Sequence, residues 1–188
     1  YAERFKHTIE PFLNAERTSA IDNYAQIVKI ESTDYTYGGT TRYSYGLNNR
    51  FYAKRKVGAV SQAMEILALE VGQTYYSNAN ASTVDPRFLT TSTTPSNFSP
   101  IAVNLRATPT QTVNGNVRAE IDSHYHELRQ VSAGTTLNLR QQLLATVTWS
   151  KLFYIEGLNG FNNKDSLSHY LTVQSNLQTR DRKYGAVY

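Results

Sequence analysis

The chain has 188 residues, 40% of them hydrophobic, 18% charged and 12% aromatic, with five prolines, no cysteine and a net charge of +4. Its longest unbroken apolar runs, Ile66–Leu69 and Leu152–Ile155, are four residues, far short of the roughly 20 that a membrane-spanning helix needs. The charged start YAERFKHTIE lacks both an initiating methionine and the apolar centre of a secretory signal peptide, so the sequence reads as one domain at most, and as a processed chain or a piece of one. The absent cysteine leaves no disulfide framework or thiolate metal site within this span, and the +4 charge is too small to argue for a nucleic-acid partner.

Tyrosine occurs 14 times against seven phenylalanines, with one methionine and one tryptophan. Aromatic and β-branched side chains suit a pleated, half-buried surface, so an all-β fold is expected. Taken in chain order, the first alternating stretch sets Phe5, His7, Ile9, Pro11, Leu13 and Ala15 against Lys6, Thr8, Glu10, Phe12, Asn14 and Glu16. The second sets Tyr43, Tyr45, Leu47, Asn49 and Phe51 against Arg42, Ser44, Gly46, Asn48 and Arg50; the third sets Leu67, Leu69 and Val71 against Ala68, Glu70 and Gly72. Next come Ile101, Val103, Leu105 and Ala107 opposite Ala102, Asn104, Arg106 and Thr108. The clearest stretch runs from Val113 towards Tyr125, with Val117, Ala119 and Ile121 on one face and Arg118, Glu120 and Asp122 on the other. After a tight connection at His126–Glu127, the alternation resumes with Val131, Ala133, Thr135, Leu137 and Leu139, which predicts an antiparallel hairpin. Leu143 to Ser150 and Leu167 to Leu177 follow, and Tyr184 to Tyr188 begins a ninth strand.

A soluble β-sandwich also has alternating strands, but two features point to a membrane barrel. Several strands reach about 10 residues or more, which suits the roughly 9 to 11 needed to cross a bilayer better than the 5 to 6 typical of sandwiches. Every second connection is short: Arg55–Gln62, Pro109–Thr112, Arg140–Gln141 and Arg180–Lys183, against long segments at Thr18–Tyr35, Ser77–Ser99 and Ile155–Ser166. Outer-membrane barrels have this one-sided loop distribution.

Charge placement agrees. Lys6, Glu10, Arg42, Arg50, Glu70, Arg106, Arg118, Glu120 and Asp122 all fall on the polar face, and all but Lys6 are taken as lumen-facing, by facing alone. Leu47, Leu69, Val103, Leu105, Val117, Ile121, Val147, Trp149 and Val173 form the face expected to meet lipid, with Lys151 an exception near a strand end. An arginine or lysine at mid-depth on that face would cost about 2 to 4 kcal/mol. Val117→Arg or Leu105→Lys is therefore expected to impair assembly, and Glu120→Ala is not. Tyr75, Tyr76, Tyr125, Tyr154 and Tyr170 lie near strand ends, where an aromatic girdle belongs.

One set of motifs, in this order, resembles a known family: Arg4-Phe5-Lys6-His7 with Ile9-Glu10-Pro11; Ile21-Asp22-Asn23 leading through Ile27 to Thr33-Asp34; YGLNNRFYAKR from Tyr45 to Arg55; Gln73 with Tyr75-Tyr76; Phe98-Ser99-Pro100-Ile101; Arg106 with Pro109; and Arg180-Asp181-Arg182. The chain thereby resembles the carboxy-terminal barrel of the LPS-assembly outer-membrane protein family LptD, also called organic solvent tolerance protein. The resemblance implies a slice of a large barrel of about 26 strands that receives lipopolysaccharide from a periplasmic bridge and inserts it into the outer leaflet. It implies an LptE-like lipoprotein plug in the lumen and contact with outer-membrane lipid, all in the bacterial outer membrane. Residues 1–188 would be a partial barrel domain, without the family's amino-terminal periplasmic domain, its paired cysteines or its closing strands. The expected fold is thus an incomplete, antiparallel transmembrane β-barrel segment of about nine long meandering strands.

No enzyme signature accompanies it: there is no Gly-x-Ser-x-Gly elbow, no glycine-rich phosphate loop and no His-Glu-x-x-His helix. His124-Tyr125-His126 beside Asp122 and Glu127 reads as a polar hairpin tip lacking a third histidine, so neither metal nor cofactor is expected. Asn80-Ala81-Ser82 and Asn97-Phe98-Ser99 read as loop composition, and Arg50, Lys54, Arg55 and Lys56 as a basic cluster at a strand end, solvated or in contact with an anion. Two other functions stay open: a small barrel of about eight strands acting as anchor or adhesin, and a soluble carbohydrate-binding β-sandwich.

Overall fold

A computed structural model describes residues 2–23, 37–57, 60–88, 94–139, 142–178 and 185–187. Nine strands occupy the positions where the sequence alternates: β1 (Ala2–Thr18), β2 (Thr40–Val57), β3 (Val60–Tyr76), β4 (Ile101–Ala107), β5 (Val113–Ile121), β6 (Leu128–Leu139), β7 (Leu143–Leu152), β8 (His169–Gln178) and β9 (Gly185–Val187). They form one antiparallel sheet in sequence order, a pure meander. Among the described residues β1 pairs only with β2, and β9 only with β8, so the sheet is open at both ends.

The register carries two unlike faces across the strands. One row runs Ile9, Asn49, Leu69, Leu105, Val117, Ala133, Trp149, Leu171, and the next runs Pro11, Leu47, Val71, Val103, Ala119, Val131, Lys151, His169. On the opposite face Glu10, Asn48, Glu70, Asn104, Arg118, Ser132 and Ser150 stand in line. No second sheet packs on the apolar face among the described residues, and Phe5 (73% exposed), Leu13 (74%) and Val173 (61%) are open on it. A β-sandwich would cover that face. The accessible surface, 12853 Å², exceeds the about 9,100 Å² expected of a compact soluble chain of this mass, as an uncovered sheet requires.

The buried core therefore lies in the connections and not between layers. Ile155, Leu158 and Phe161 cluster inside the β7–β8 connection, with Leu152 and Leu167 packed against them. Backbone bonds from Ile155 N–H to Phe161 O (3.1 Å) and from Phe161 N–H to Leu158 O (3.0 Å) close that loop, and Gly157 and Gly160 take the positive φ its turns need.

Three local features depart from the sequence expectation. β3 begins at Val60, well before the alternation at Leu67, because the pairing slips between Phe51 and Tyr52: Phe51 faces Leu67 but Tyr52 faces Glu65. Ile66 is the extra residue of a bulge, which reverses the phase of everything before it and hides the strand from a period-two reading. β5 stops at Ile121, not near Tyr125, because the Asp122 carboxylate accepts from the N–H groups of His124 (2.7 Å) and Tyr125 (2.8 Å) and turns the chain. The resulting six-residue turn lies on the edge that otherwise carries the long connections, so loop length is one-sided with this single exception among the described connections. The third departure concerns the aromatic girdle: Tyr76 and Tyr170 pair opposite Arg42 and Ser150 on the polar face, whereas Tyr75 pairs opposite Tyr43 on the apolar one.

Candidate functional site on the charged face

The register puts Glu10, Arg42, Arg50, Glu70, Arg106, Arg118 and Glu120 on one face, and all nine residues expected to meet lipid on the other. Asp122 lies just beyond β5 and is 2% exposed. Across the middle of the charged face, four strands contribute alternating signs: Glu10 of β1 lies 3.9 Å from Arg50 of β2, Arg50 is 3.8 Å from Glu65 of β3, and Glu65 is 2.5 Å from Arg106 of β4. Exposed pairs of this kind stabilise by only about 0 to 1 kcal/mol. Their effect is to make a hydrophilic, nearly neutral surface. Glu65 escaped the sequence reading because the Ile66 bulge inverts its phase.

Between this band and the long-loop edge, Phe12 of β1 lies over a pair of glycines. A Cβ on Gly46 would stand 2.7 Å from the Phe12 ring and 2.8 Å from the Gly72 Cα, so the strand backbones approach here as no other residue allows. The ring explains why an aromatic residue sits on the charged face at all: it fills the space the two glycines leave.

At the long-loop edge, the β3–β4 connection is fastened over the charged face. Asn78 caps a 3₁₀ turn (Ala79–Val84), and Asp85 follows, 1% exposed. Its carboxylate accepts from Arg87 through Nη2 (2.8 Å), Nε (3.1 Å) and the backbone N–H (3.0 Å), and from the Tyr76 hydroxyl, with Arg42 at 4.0 Å. Burial alone would raise the Asp85 carboxyl; the hydrogen bonds from Arg87 and Tyr76 outweigh it and hold the group below the ordinary carboxylate range. Arg87 also donates to Thr74 Oγ1 (3.0 Å), and Arg118 donates to the Arg87 carbonyl (3.1 Å). Buried Phe88 has the guanidinium groups of Arg87 and Arg118 at 5.7 and 5.8 Å from its ring centre.

Arg118 also binds Glu120 Oε1 through Nε (2.8 Å) and Nη2 (2.7 Å), and Glu120 is 2% exposed. Glu120→Ala is consequently not the silent change that facing alone suggests, since it would remove the carboxylate partner of Arg118. Asp122 holds buried Arg129 through Nη2 (2.5 Å) and Nε (2.7 Å). Arg129 reaches it because it is itself a bulge residue: Glu120 faces Gln130 but Ile121 faces Leu128. The Arg129 guanidinium lies 5.7 Å from the Phe161 ring centre, which ties the β5–β6 turn to the β7–β8 connection. The Asp122 carboxyl, pushed up by burial, is pulled down further by the Tyr125 and His124 N–H groups and Arg129, and ends below its usual value.

Asp85, Arg87 and Arg129 were not legible as partners in sequence. The Asp-Pro-Arg order at Asp85 signals a turn, but nothing in it names the strand it lands on. His124 and His126 are exposed on the hairpin, and the described residues contain no group of three or more His, Asp or Glu placed to hold a metal ion. On the apolar face the Tyr75 ring lies between Tyr43 (6.3 Å) and Phe98 (5.2 Å), and Trp149 Nε1–H donates to His169 Nε2 (2.9 Å). Lys151 directs its ammonium over Phe153 (5.0 Å). Polar tips and aromatic bodies thus gather towards the long-loop end of that face. Ile27, Thr33, Asp34 and Arg180-Asp181-Arg182, which carry part of the family resemblance, lie outside the described residues.

Neither curated proteins nor solved structures gave a match to the chain. The family model described as LPS transport system D, LptD, matches residues 31–178, a span that takes in strands β2 to β8, the Asp85 loop and the ion pairs of β5 and β6. An open, all-β meander with one charged and one uncovered apolar face is the form a segment of outer-membrane barrel takes, and the chain belongs to the LptD family of the lipopolysaccharide transport system.

Proposed function

We propose that these strands form part of the wall of an outer-membrane barrel that delivers lipopolysaccharide to the outer leaflet. The charged face lines the lumen and the apolar face meets lipid. The activity is passage and placement of a glycolipid, with no bond made or broken by this chain. The observation that carries the reading is the segregation of charge: the ion pairs Glu10–Arg50, Glu65–Arg106 and Arg118–Glu120 share one face, while the other exposes rows of Leu, Val and Trp with no layer over them. A lumen carrying a saccharide needs hydrophilic walls without strong net charge, and the alternating band supplies them. In the whole protein an LptE-like lipoprotein and the periplasmic bridge components are the partners, with the short turns on the periplasmic side and the β3–β4 and β7–β8 connections outside.

No cysteine within this span competes with an introduced one. Single cysteines at Asn104 and Glu70 should react with a water-soluble maleimide in the assembled full-length protein, and cysteines at Val103 and Leu105 should react only with a lipid-phase reagent. A photoreactive side chain at Asn104 should form an adduct with lipopolysaccharide in growing cells. Reversed labelling would overturn the facing, and an assembled, active protein giving no adduct at Asn104 would overturn the passage route.

A further inference from the structure

The basic residues of the charged face are used in two ways. Arg42, Arg50, Arg87, Arg106, Arg118 and Arg129 are all paired with carboxylates, from mid-face to the long-loop edge. At the short-turn end, Arg4 and Lys6 of β1 and Lys54 and Lys56 of β2 occupy the same face and are all exposed. Arg4 stands directly opposite Lys54, and Lys6 opposite Tyr52. None of the four has an ion pair or hydrogen bond among the described residues; Glu3, beside Arg4 in β1, is the extra residue of a bulge between Ala2 and Arg4, and the next carboxylates on this face, Glu10 of β1 and Glu65 of β3, pair with Arg50 and Arg106. Like charges placed directly across a strand pair destabilise the sheet. The fold gains nothing from Arg4 beside Lys54, and solubility does not require the charges to be gathered on one face at one edge.

We infer that Arg4, Lys6, Lys54 and Lys56 form an anion-binding cluster that engages the phosphate groups of the glycolipid at the short-turn entrance to the charged face. The inference rests on the passage route proposed above and adds a place where the cargo is first held. Strongly hydrated ammonium groups suit it: they attract a phosphate as point charges without the two-nitrogen grip that Arg118 and Arg129 each keep on a single carboxylate oxygen, so the headgroup is held weakly enough to move on. Beyond the cluster the face is charge-balanced, so no second basic trap lies along it. The four cations act together within a Debye length, which makes their attraction cooperative and salt-sensitive.

The test uses the full-length assembled protein with a photoreactive side chain at Tyr52, inside the cluster, or at Asn104, mid-face. The probes are purified lipopolysaccharide, the same material stripped of its phosphates, and anionic phospholipid vesicles. Adduct yield at Tyr52 should fall about tenfold on phosphate removal and in the triple variant Lys6→Gln, Lys54→Gln, Lys56→Gln, while the Asn104 adduct of the variant falls only in proportion to supply. Lysine-to-arginine variants should restore it. If the glutamine variant does not assemble, raising ionic strength from about 0.05 M to about 0.5 M in the unaltered protein should lower the Tyr52 adduct selectively. A Tyr52 adduct indifferent to phosphate, salt and lysines sinks the cluster but leaves the route standing. An equal adduct with phospholipid vesicles assigns the cluster to bulk lipid and overturns the glycolipid assignment. No adduct at Tyr52 or Asn104 in active protein removes the route itself.

Discussion

Asp85 shows how one residue fixes where a loop goes. Its carboxylate gathers Tyr76 from β3, Arg87 from the loop and the approach of Arg42 from β2, in a place almost closed to water. Free in solution such a carboxyl titrates near about 3.9, and in the folded loop it lies lower. A depressed folded value contributes stability that is complete above the unfolded value and is lost as pH falls through the folded one. Amide protection over Ala79–Phe88, corrected for intrinsic exchange, should therefore hold steady from about pH 8 to about pH 5 and decline below about pH 4. Asp85→Asn should lower protection at neutral pH by about 1 to 3 kcal/mol and abolish the acid-dependent part. Unchanged protection in the asparagine variant would mean that Phe88 alone holds the loop.

At the scale of elements, the bulges decide which side chains meet. The slip at Ile66 brings Glu65 onto the charged face between Arg50 and Arg106, and the slip at Arg129 aims that residue at Asp122. Alternation elsewhere, apart from a third slip between Ala2 and Arg4, makes the two faces unequal in their tolerance of charge. Val117→Arg, in a row of Leu105, Ala133 and Trp149, should cost about 2 to 4 kcal/mol at mid-depth and reduce the heat-modifiable, folded form of the full-length protein in membranes. Glu70→Ala, exposed and without a partner among the described residues, is the matched control and should leave that form unchanged. Equal loss from both substitutions would contradict the two-faced reading of the sheet.

At the scale of the whole molecule, the open meander leaves strand edges and an apolar face without partners among the described residues. Unpaired edges and contiguous exposed apolar rows promote association in water. Residues 1–188 expressed alone should accordingly precipitate from aqueous refolding and acquire sheet structure, read by circular dichroism, only with detergent or lipid present. A soluble, monodisperse chain in buffer would point instead to a covered apolar face.

Alternation in the sequence was enough to determine the class of fold, the number and order of strands and the two faces, because in a β-strand the side-chain period is a local property of the backbone. The motif order was enough for the family. What only the tertiary structure decided is what locality cannot carry: that Ile66 and Arg129 break the phase, that Asp122 ends β5, that Tyr76 and Tyr170 stand on the charged face, and that Asp85 and Arg87 come to rest beside Thr74, Tyr76 and Arg118. Each of these depends on a partner many residues away, chosen by register and burial, and a side chain's own letter holds no record of that partner. The charges of that face thus divide into a balanced band, a buried lock at the long-loop edge and, at the short-turn edge, an unpaired cationic cluster whose members stood outside the lumenal set read from sequence.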